Sequence, residues 1–213
     1  MHEINIIEIY QGQEETIKTL KKEFKSSYRK KQIQGSVYVT KLGFEKDNQS
    51  DKDNHGGPDQ AVCVYPQSSY DFFKDFHNFE LDPCSFGENI TIDDVSDKDI
   101  CIADQYACGE VIFEVSQPRG PCWKISEVLG LKKLTSLVVN DVKTGFYLRV
   151  LKEGKIDKNL TLKLIKRKYE KLTIEYVANC YLHSKKNQDN IKEIILCPEL
   201  GERFRKGFEK KLL

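Results

Sequence analysis

The stretch Val111-Ile112-Phe113-Glu114-Val115-Ser116-Gln117-Pro118 has the period of a β-strand. Val111, Phe113 and Val115 fall on one side and Ile112, Glu114 and Ser116 on the other. Gln117-Pro118 closes the run, since proline has no N–H to give a neighbouring strand. The same alternation returns at Phe146, Leu148 and Val150, and again at Leu160, Leu162 and Leu164. Upstream, Ile4, Ile6 and Tyr10 suggest a first strand and Val37 with Val39 a short one. Ala61–Tyr65 is continuously apolar and β-prone, which predicts a strand buried on both faces; Ile90 with Ile92 and the run Ile100–Tyr106 predict two more. Many short strands separated by turn signals predict a barrel or a sandwich.

Between the strands the signals change. Residues 13–34 are polar and Lys-rich and read as a loop or a ragged hairpin; residues 45–60 form a long Asp-, Asn- and Gly-rich loop of the kind that tends to carry function. After Pro66, Ser68 with Asp71 three residues on predicts a helix N-cap. Phe72, Phe73, Phe76 and Phe79 follow at helical spacing as a stripe expected to face the core. Beyond Lys166-Arg167-Lys168 the strands stop. Thr173–Leu182 reads as a helix, Asp189 or Asn190 caps a second running through Cys197, and Pro198 opens a third whose Leu200, Phe204, Phe208 and Leu212 recur every four residues. The expected organisation is a β-rich body over 1–167 and a three-helix extension over 168–213, a mainly β with α (α+β) chain. The extension is too small to bury a core alone, so it packs on the body or on a second subunit, and a homodimer is compatible with that.

Composition bounds the function. With 39% hydrophobic and 31% charged residues among 213, the chain is globular rather than disordered. The 34 Lys and Arg against 33 Asp and Glu leave a formal charge of +1, without the basic excess of a protein that grips nucleic acid by its phosphates. The longest apolar run, Ala61–Tyr65, is far short of the roughly 20 residues of a membrane-spanning helix. The start Met1-His2-Glu3-Ile4-Asn5 lacks the basic and apolar regions of a secretory signal. Seven cysteines, an odd number without a Cys-x-x-Cys pair, argue against a disulfide framework and a structural zinc site, and for a reducing cytoplasm. The Lys-rich runs read as solvated faces.

Three loops stand apart. Gln49–Asp59 contains His55-Gly56-Gly57, where glycines let backbone N–H groups approach a ligand and the imidazole offers a donor or acceptor near neutral pH; a plain surface turn is the alternative. Ser85-Phe86-Gly87-Glu88-Asn89 precedes a strand and combines a permissive glycine, a carboxyl and an amide, again with a plain turn as the alternative; nearby Cys84 reads as structural. In Ser116–Lys124, Pro118 and Pro121 stiffen the segment, Gly120 keeps it slim, and Cys122 falls just before an expected helix over Trp123–Leu129. The helix start, Arg119 and Lys124 would favour a thiolate, a nucleophile and a soft metal ligand; the alternative is a buried, inert cysteine.

These loops, in this order, resemble the MOSC domain family, named for the C-terminal domain of molybdenum cofactor sulfurases, and most closely its small stand-alone bacterial branch of the YiiM type. The motifs carrying the resemblance are His55-Gly56-Gly57-Pro58-Asp59-Gln60-Ala61, Phe86-Gly87-Glu88-Asn89-Ile90-Thr91, Val115–Cys122 and Thr144-Gly145-Phe146-Tyr147-Leu148-Arg149-Val150, with the region around Cys197-Pro198-Glu199-Leu200 similar to that branch's three-helix extension. The resemblance implies a MOSC-type β-barrel followed by a small helical subdomain, and a pocket for molybdenum bound to a pyranopterin (molybdopterin). It implies that Cys122 ligates the metal or carries sulfur. It also implies reduction of N-hydroxylated compounds such as hydroxylamino purines and amidoximes, with electrons from a redox partner protein. On that reading Gly56, Gly57, Gly87, Asn89, Arg119 and Arg149 bind the anionic cofactor, and His55 or Glu88 acts with Cys122 as a proton donor. The alternatives are sulfur transfer through a Cys122 persulfide, a non-enzymatic molybdopterin carrier, and a Cys122–His55 hydrolase, for which the sequence shows no oxyanion hole.

Overall fold

The computed structural model describes residues 3–48 and 56–212. In chain order the elements are β1 (Glu3–Gln11), β2 (Glu15–Lys18), β3 (Glu23–Ser26), β4 (Lys31–Gln32), β5 (Val37–Thr40), β6 (Gly43–Phe44), β7 (Val62–Pro66), α1 (Gln67–His77), β8 (Ile90–Ile92), β9 (Gln105–Cys108) and β10 (Val111–Pro118). Then follow α2 (Lys124–Leu129), α3 (Leu134–Asn140), β11 (Phe146–Lys152), β12 (Gly154–Ile156), β13 (Thr161–Lys166), α4 (Ile174–Leu182), α5 (Gln188–Ile194) and α6 (Glu202–Glu209).

Seven strands close a barrel in the order β13-β9-β10-β11-β7-β8-β1, with β1 pairing back onto β13 through Ile4 and Leu162. Closure removes free sheet edges. All pairs around the barrel are antiparallel except β7 with β8, whose parallel pairing needs a crossover; α1 lies in that connection. The predicted strands at 4–10, 61–65, 90–92, 111–118, 146–150 and 160–164 are thus the staves of one closed sheet. β2 and β3 form the ragged hairpin, β4 extends β1, and β12-β5-β6 make a small second sheet.

Several expectations are corrected. Ile100–Asp104 is a turn rather than a strand. Ala103 has φ +65°, the Cys101 amide donates to the Asp104 carboxylate at 2.9 Å, Cys101 makes only an isolated bridge to Thr173, and the strand ladder begins at Gln105. Ser68 is not a cap: α1 begins after Pro66, and the Ser68 hydroxyl donates instead to the Val95 carbonyl at 2.8 Å. Of the phenylalanine stripe only Phe73 is fully buried. Phe76 is 72% exposed and stacks on Phe72, because the buried face of α1 is Ser69, Tyr70 and Phe73, offset from the stripe. The last helix starts at Glu202, after Gly201, with Pro198 in the turn before it; the second starts earlier than read, after Asn187.

Thr173, read as the first residue of the helix, is its cap instead, its hydroxyl accepting from the Tyr176 amide at 3.1 Å. Leu200, Phe204 and Phe208 are buried, and Ile174, Val177, Ile191 and Ile194 join the same hydrophobic cluster as barrel residues Val115, Leu148 and Leu162. The helical extension therefore packs on the barrel. Among the described residues no helix is long and apolar enough to cross a membrane.

Candidate functional site

A cleft of about 670 Å³, counting its open mouth, lies where the 56–60 loop, the 86–89 loop, the end of β3 and the segment after β10 converge. The wall is built from strand register. Cys63 of β7 stands opposite Tyr147 of β11, and both side chains line the cleft. Asn89 holds Cys63 in place from the next strand: the Cys63 amide donates to Asn89 Oδ1 at 3.1 Å and the Asn89 amide donates to the Cys63 carbonyl at 2.8 Å. Asn89 Nδ2 then donates to Asp47 Oδ2 at 2.8 Å, and Asp47 pairs with Lys30 at 2.6 Å, both side chains nearly sealed from solvent. A buried pair this short fixes the Lys30 ammonium on the cleft wall.

Arg119 is 6% exposed. Its amide donates to the Gly145 carbonyl at 3.0 Å, tying the loop to the start of β11, and Nη2 donates to the Phe86 carbonyl at 2.7 Å. Nη1 is buried without a partner, and among the described residues no carboxylate pairs with this guanidinium. Orphaned buried donors are uncommon and costly. A cationic one lining a cleft is complementary to an anion.

Three residues on, Cys122 also lines the cleft and is half-buried, whereas the other six cysteines are buried. It precedes α2, its carbonyl accepting from the Ile125 amide at 3.1 Å. Trp123 beside it is 46% exposed, packed edge-on against Phe24 at 5.0 Å with Lys22 over its ring. Burial pushes the Cys63 thiol up to about 11, with Arg119 opposing. Burial likewise raises the phenols of Tyr28 and Tyr147, so both are O–H groups near neutral pH.

Among the expected site residues, Gly56, Gly87, Asn89, Arg119 and Cys122 line this cleft. Gly87 has φ +70°, and a Cβ there would press on Tyr28 at 3.3 Å, so the glycine lets the loop approach the wall. Gly57 lies behind the lining as the residue before the Pro58–Gln60 turn. His55 lies outside the described residues.

Glu88 does not reach the cleft. Its Oε1 accepts from Tyr70 Oη at 2.5 Å and Thr91 Oγ1 at 3.0 Å, and its Oε2 accepts from the Phe86 amide at 3.2 Å, all in the interior. Burial raises its pKa against those hydrogen bonds. Arg149 is also elsewhere. Its guanidinium is forked between Asp59, at 2.7 Å, and Glu114, at 3.0 Å, which makes it a strut of the barrel wall.

Sequence reasoning missed Lys30, Asp47, Cys63, Tyr28 and Tyr147. Only Tyr147 carried a signal. Since Phe146, Leu148 and Val150 face the core, its side chain belongs to the other face.

No three His, Cys, Asp or Glu side chains group as metal ligands among the described residues. The donor set is two cysteines, the half-buried Cys122 and the buried Cys63, beside the buried Arg119 guanidinium. That set fits an anionic group that brings most of its own metal ligands.

A family model described as the MOSC domain matches residues 51–162. "Uncharacterized protein YflK" of Bacillus subtilis is 33% identical over 207 residues, covering 97% of this chain and 94% of that protein. A protein of Gibberella moniliformis named "Reductase" is 31% identical over 156 residues, 71% of this chain but 28% of that protein. The crystal structure of YiiM from Geobacillus stearothermophilus superposes with a TM-score of 0.82 at 30% identity, over 99% of this chain and 100% of that one.

Proposed function

We infer that this chain, which belongs to the MOSC domain family, holds the molybdenum cofactor in the cleft through Cys122 and reduces N-hydroxylated compounds with electrons from a protein donor. The observation that carries the reading is the pairing of one half-exposed cysteine with a buried guanidinium whose Nη1 has no partner. A fungal relative named as a reductase supports the oxidoreductase class. When bound, the cofactor supplies two-electron chemistry at molybdenum.

The protein's part is binding, orientation and protons. Cys122 offers the single sulfur ligand. Arg119 Nη1 binds negative charge of the phosphate and pterin, and the Gly87 turn lets them approach the wall. Conversion of N–OH to N–H consumes two electrons and two protons and releases water. Tyr28 and Tyr147 line the cleft as proton-bearing groups. Glu88 is too deeply engaged to deliver a proton directly.

The test is purification from a cofactor-competent host, with metal analysis, pterin fluorescence and reduction of a hydroxylamino purine by a reduced viologen dye. Wild type is expected to carry molybdenum and pterin and to turn over, and Cys122→Ser to lose turnover with its fold intact. Retained activity in Cys122→Ser would refute the reading. Metal-free protein carrying one extra sulfur on Cys122 would establish sulfur transfer instead, and pterin without turnover a carrier.

A further inference from the structure

The loop that frames one side of the cleft ends in Asp59, and this residue reaches away from the cleft in three directions. Its Oδ1 holds Arg149, with Nη2 at 2.7 Å and Nε at 3.0 Å. Its Oδ2 accepts from the backbone amide of Glu202, the first residue of α6, at 2.9 Å. Its carbonyl accepts from the Ser116 hydroxyl at 2.5 Å. No side chain of α6's own approach does this work, since Gly201 precedes the helix without a cap bond.

The contact is reinforced from the other loop. The Gly201 amide donates to the Ser116 carbonyl at 2.9 Å, and a Cβ on Gly201 would stand 2.3 Å from Gln117 Oε1. Ser116 sits at a register shift between β10 and β11, so the strand is locally kinked there. One residue after Asp59, Gln60 lines the cleft and accepts from the Gly56 amide at 2.9 Å. Two residues after Gln117 comes Arg119, and three later Cys122. The start of α6 thus touches the roots of both loops that carry the cleft residues.

We propose that Asp59 is a positioning residue through which the C-terminal helix α6 sets the two cleft loops, so that the extension is part of the site's scaffold. Asp59 joins three partners from three elements: the Arg149 guanidinium, shared with Glu114; the helix N-terminal amide of Glu202; and the Ser116 hydroxyl of the kinked strand, shared with the Tyr147 carbonyl. The inference rests on the cleft being the functional site, but its readouts need no cofactor.

The decisive variant is Glu202→Pro in the full chain. Proline suits the first position of a helix yet has no N–H for Asp59 to accept, so the link is cut while α6 is kept. Asp59→Ala cuts all side-chain links at once. Peptide-resolved hydrogen exchange and the alkylation rate of Cys122 by iodoacetamide are the readouts. Both variants should exchange about tenfold faster at 56–61 and 117–123 as well as at 201–206, with β1, β8 and β13 unchanged, and Cys122 should be alkylated about fivefold faster. Faster exchange confined to 201–206 would reduce Asp59 to a helix cap and overturn the proposal. If Asp59→Ala does not fold, Glu202→Pro alone decides. Coupled loops in a wild-type protein that binds no pterin would sink the functional reading and leave this one standing; the converse pattern would do the reverse.

Discussion

Removing Arg119 separates what its charge does for the fold from what it does for the cleft. In Arg119→Met the Phe86 carbonyl loses its donor, at a cost of about 1–3 kcal/mol, while a buried guanidinium with an orphaned Nη1 also disappears. The two effects offset. Cofactor-free Arg119→Met is therefore expected to unfold within ~1 kcal/mol of wild type by denaturant titration, yet to retain at least tenfold less pterin on purification. A stability loss on the order of 3 kcal/mol with pterin retained would make Arg119 a structural residue.

Asp97 gives a second residue-level test. It is fully buried at the foot of the turn before β11. Its Oδ2 accepts from the Thr144 and Gly145 amides at 2.9 and 3.1 Å, and its Oδ1 has no partner. Burial outweighs those bonds and pushes the carboxyl from its ordinary 3.8 up to about 6. The folded state thus holds the proton more tightly than the unfolded chain. The stability this contributes is complete below 3.8 and is lost as pH rises through about 6. Asp97→Asn cannot titrate, so its stability relative to wild type should climb by about 2 kcal/mol between pH 4 and 7. A difference that stays flat across that window would contradict the assignment.

At this scale the sequence told much about Cys122 and Arg119, whose stiff, cationic loop is a local feature. It told little about Lys30 and Asp47. Asp47 meets Lys30 across 17 residues and Asn89 across 42, and a Lys-rich run carries no mark of the lysine that is buried.

Elements were legible where period and burial agree. β11 alternates in sequence and, over Phe146–Val150, in burial; β7 is apolar throughout and buried throughout, while β10 alternates in sequence but is buried on both faces, its Glu114, Ser116 and Gln117 included. Legibility failed where a polar side chain redirected the backbone. The Asp104 carboxylate turns an apolar run into a bend at Ala103, and the Asp59 carboxylate holds the start of α6 four residues past Pro198, where sequence alone places it. β11 itself depends on such a local device. Gly145 has φ +64°, and a Cβ there would lie 2.6 Å from the Val64 carbonyl and 2.5 Å from the Tyr65 ring. Neither backbone strain nor clash can relax without moving β7, which carries Cys63. Gly145→Ala should cost about 2–4 kcal/mol in denaturant-measured stability. A cost under about 0.5 kcal/mol would mean that the β7–β11 register yields more easily than its packing implies.

At the scale of the molecule the question is whether barrel and extension are one cooperative unit. The change of texture after Lys166 predicts a boundary in composition, but burial crosses it: Phe204 and Phe208 belong to the same cluster as the barrel strands, and Tyr181 stacks on Phe204 at 4.5 Å and meets Phe208 edge-on at 5.1 Å. A shared core means that a cavity at one end is felt at the other. Phe208→Ala removes a fully buried ring from the last helix, which should cost about 3–5 kcal/mol. The single tryptophan, Trp123, lies beside the cleft and reports on the body of the protein. In one cooperative unit, denaturation of Phe208→Ala followed by tryptophan fluorescence and by far-ultraviolet circular dichroism gives coincident curves, both displaced by the full cost. In two units the fluorescence curve would stay with wild type while part of the helical signal melted early. Coincidence is the expected result, because the α6 amide is held by Asp59 on one side and the α6 rings are held by the barrel core on the other, leaving the helix no way to unfold without loosening both.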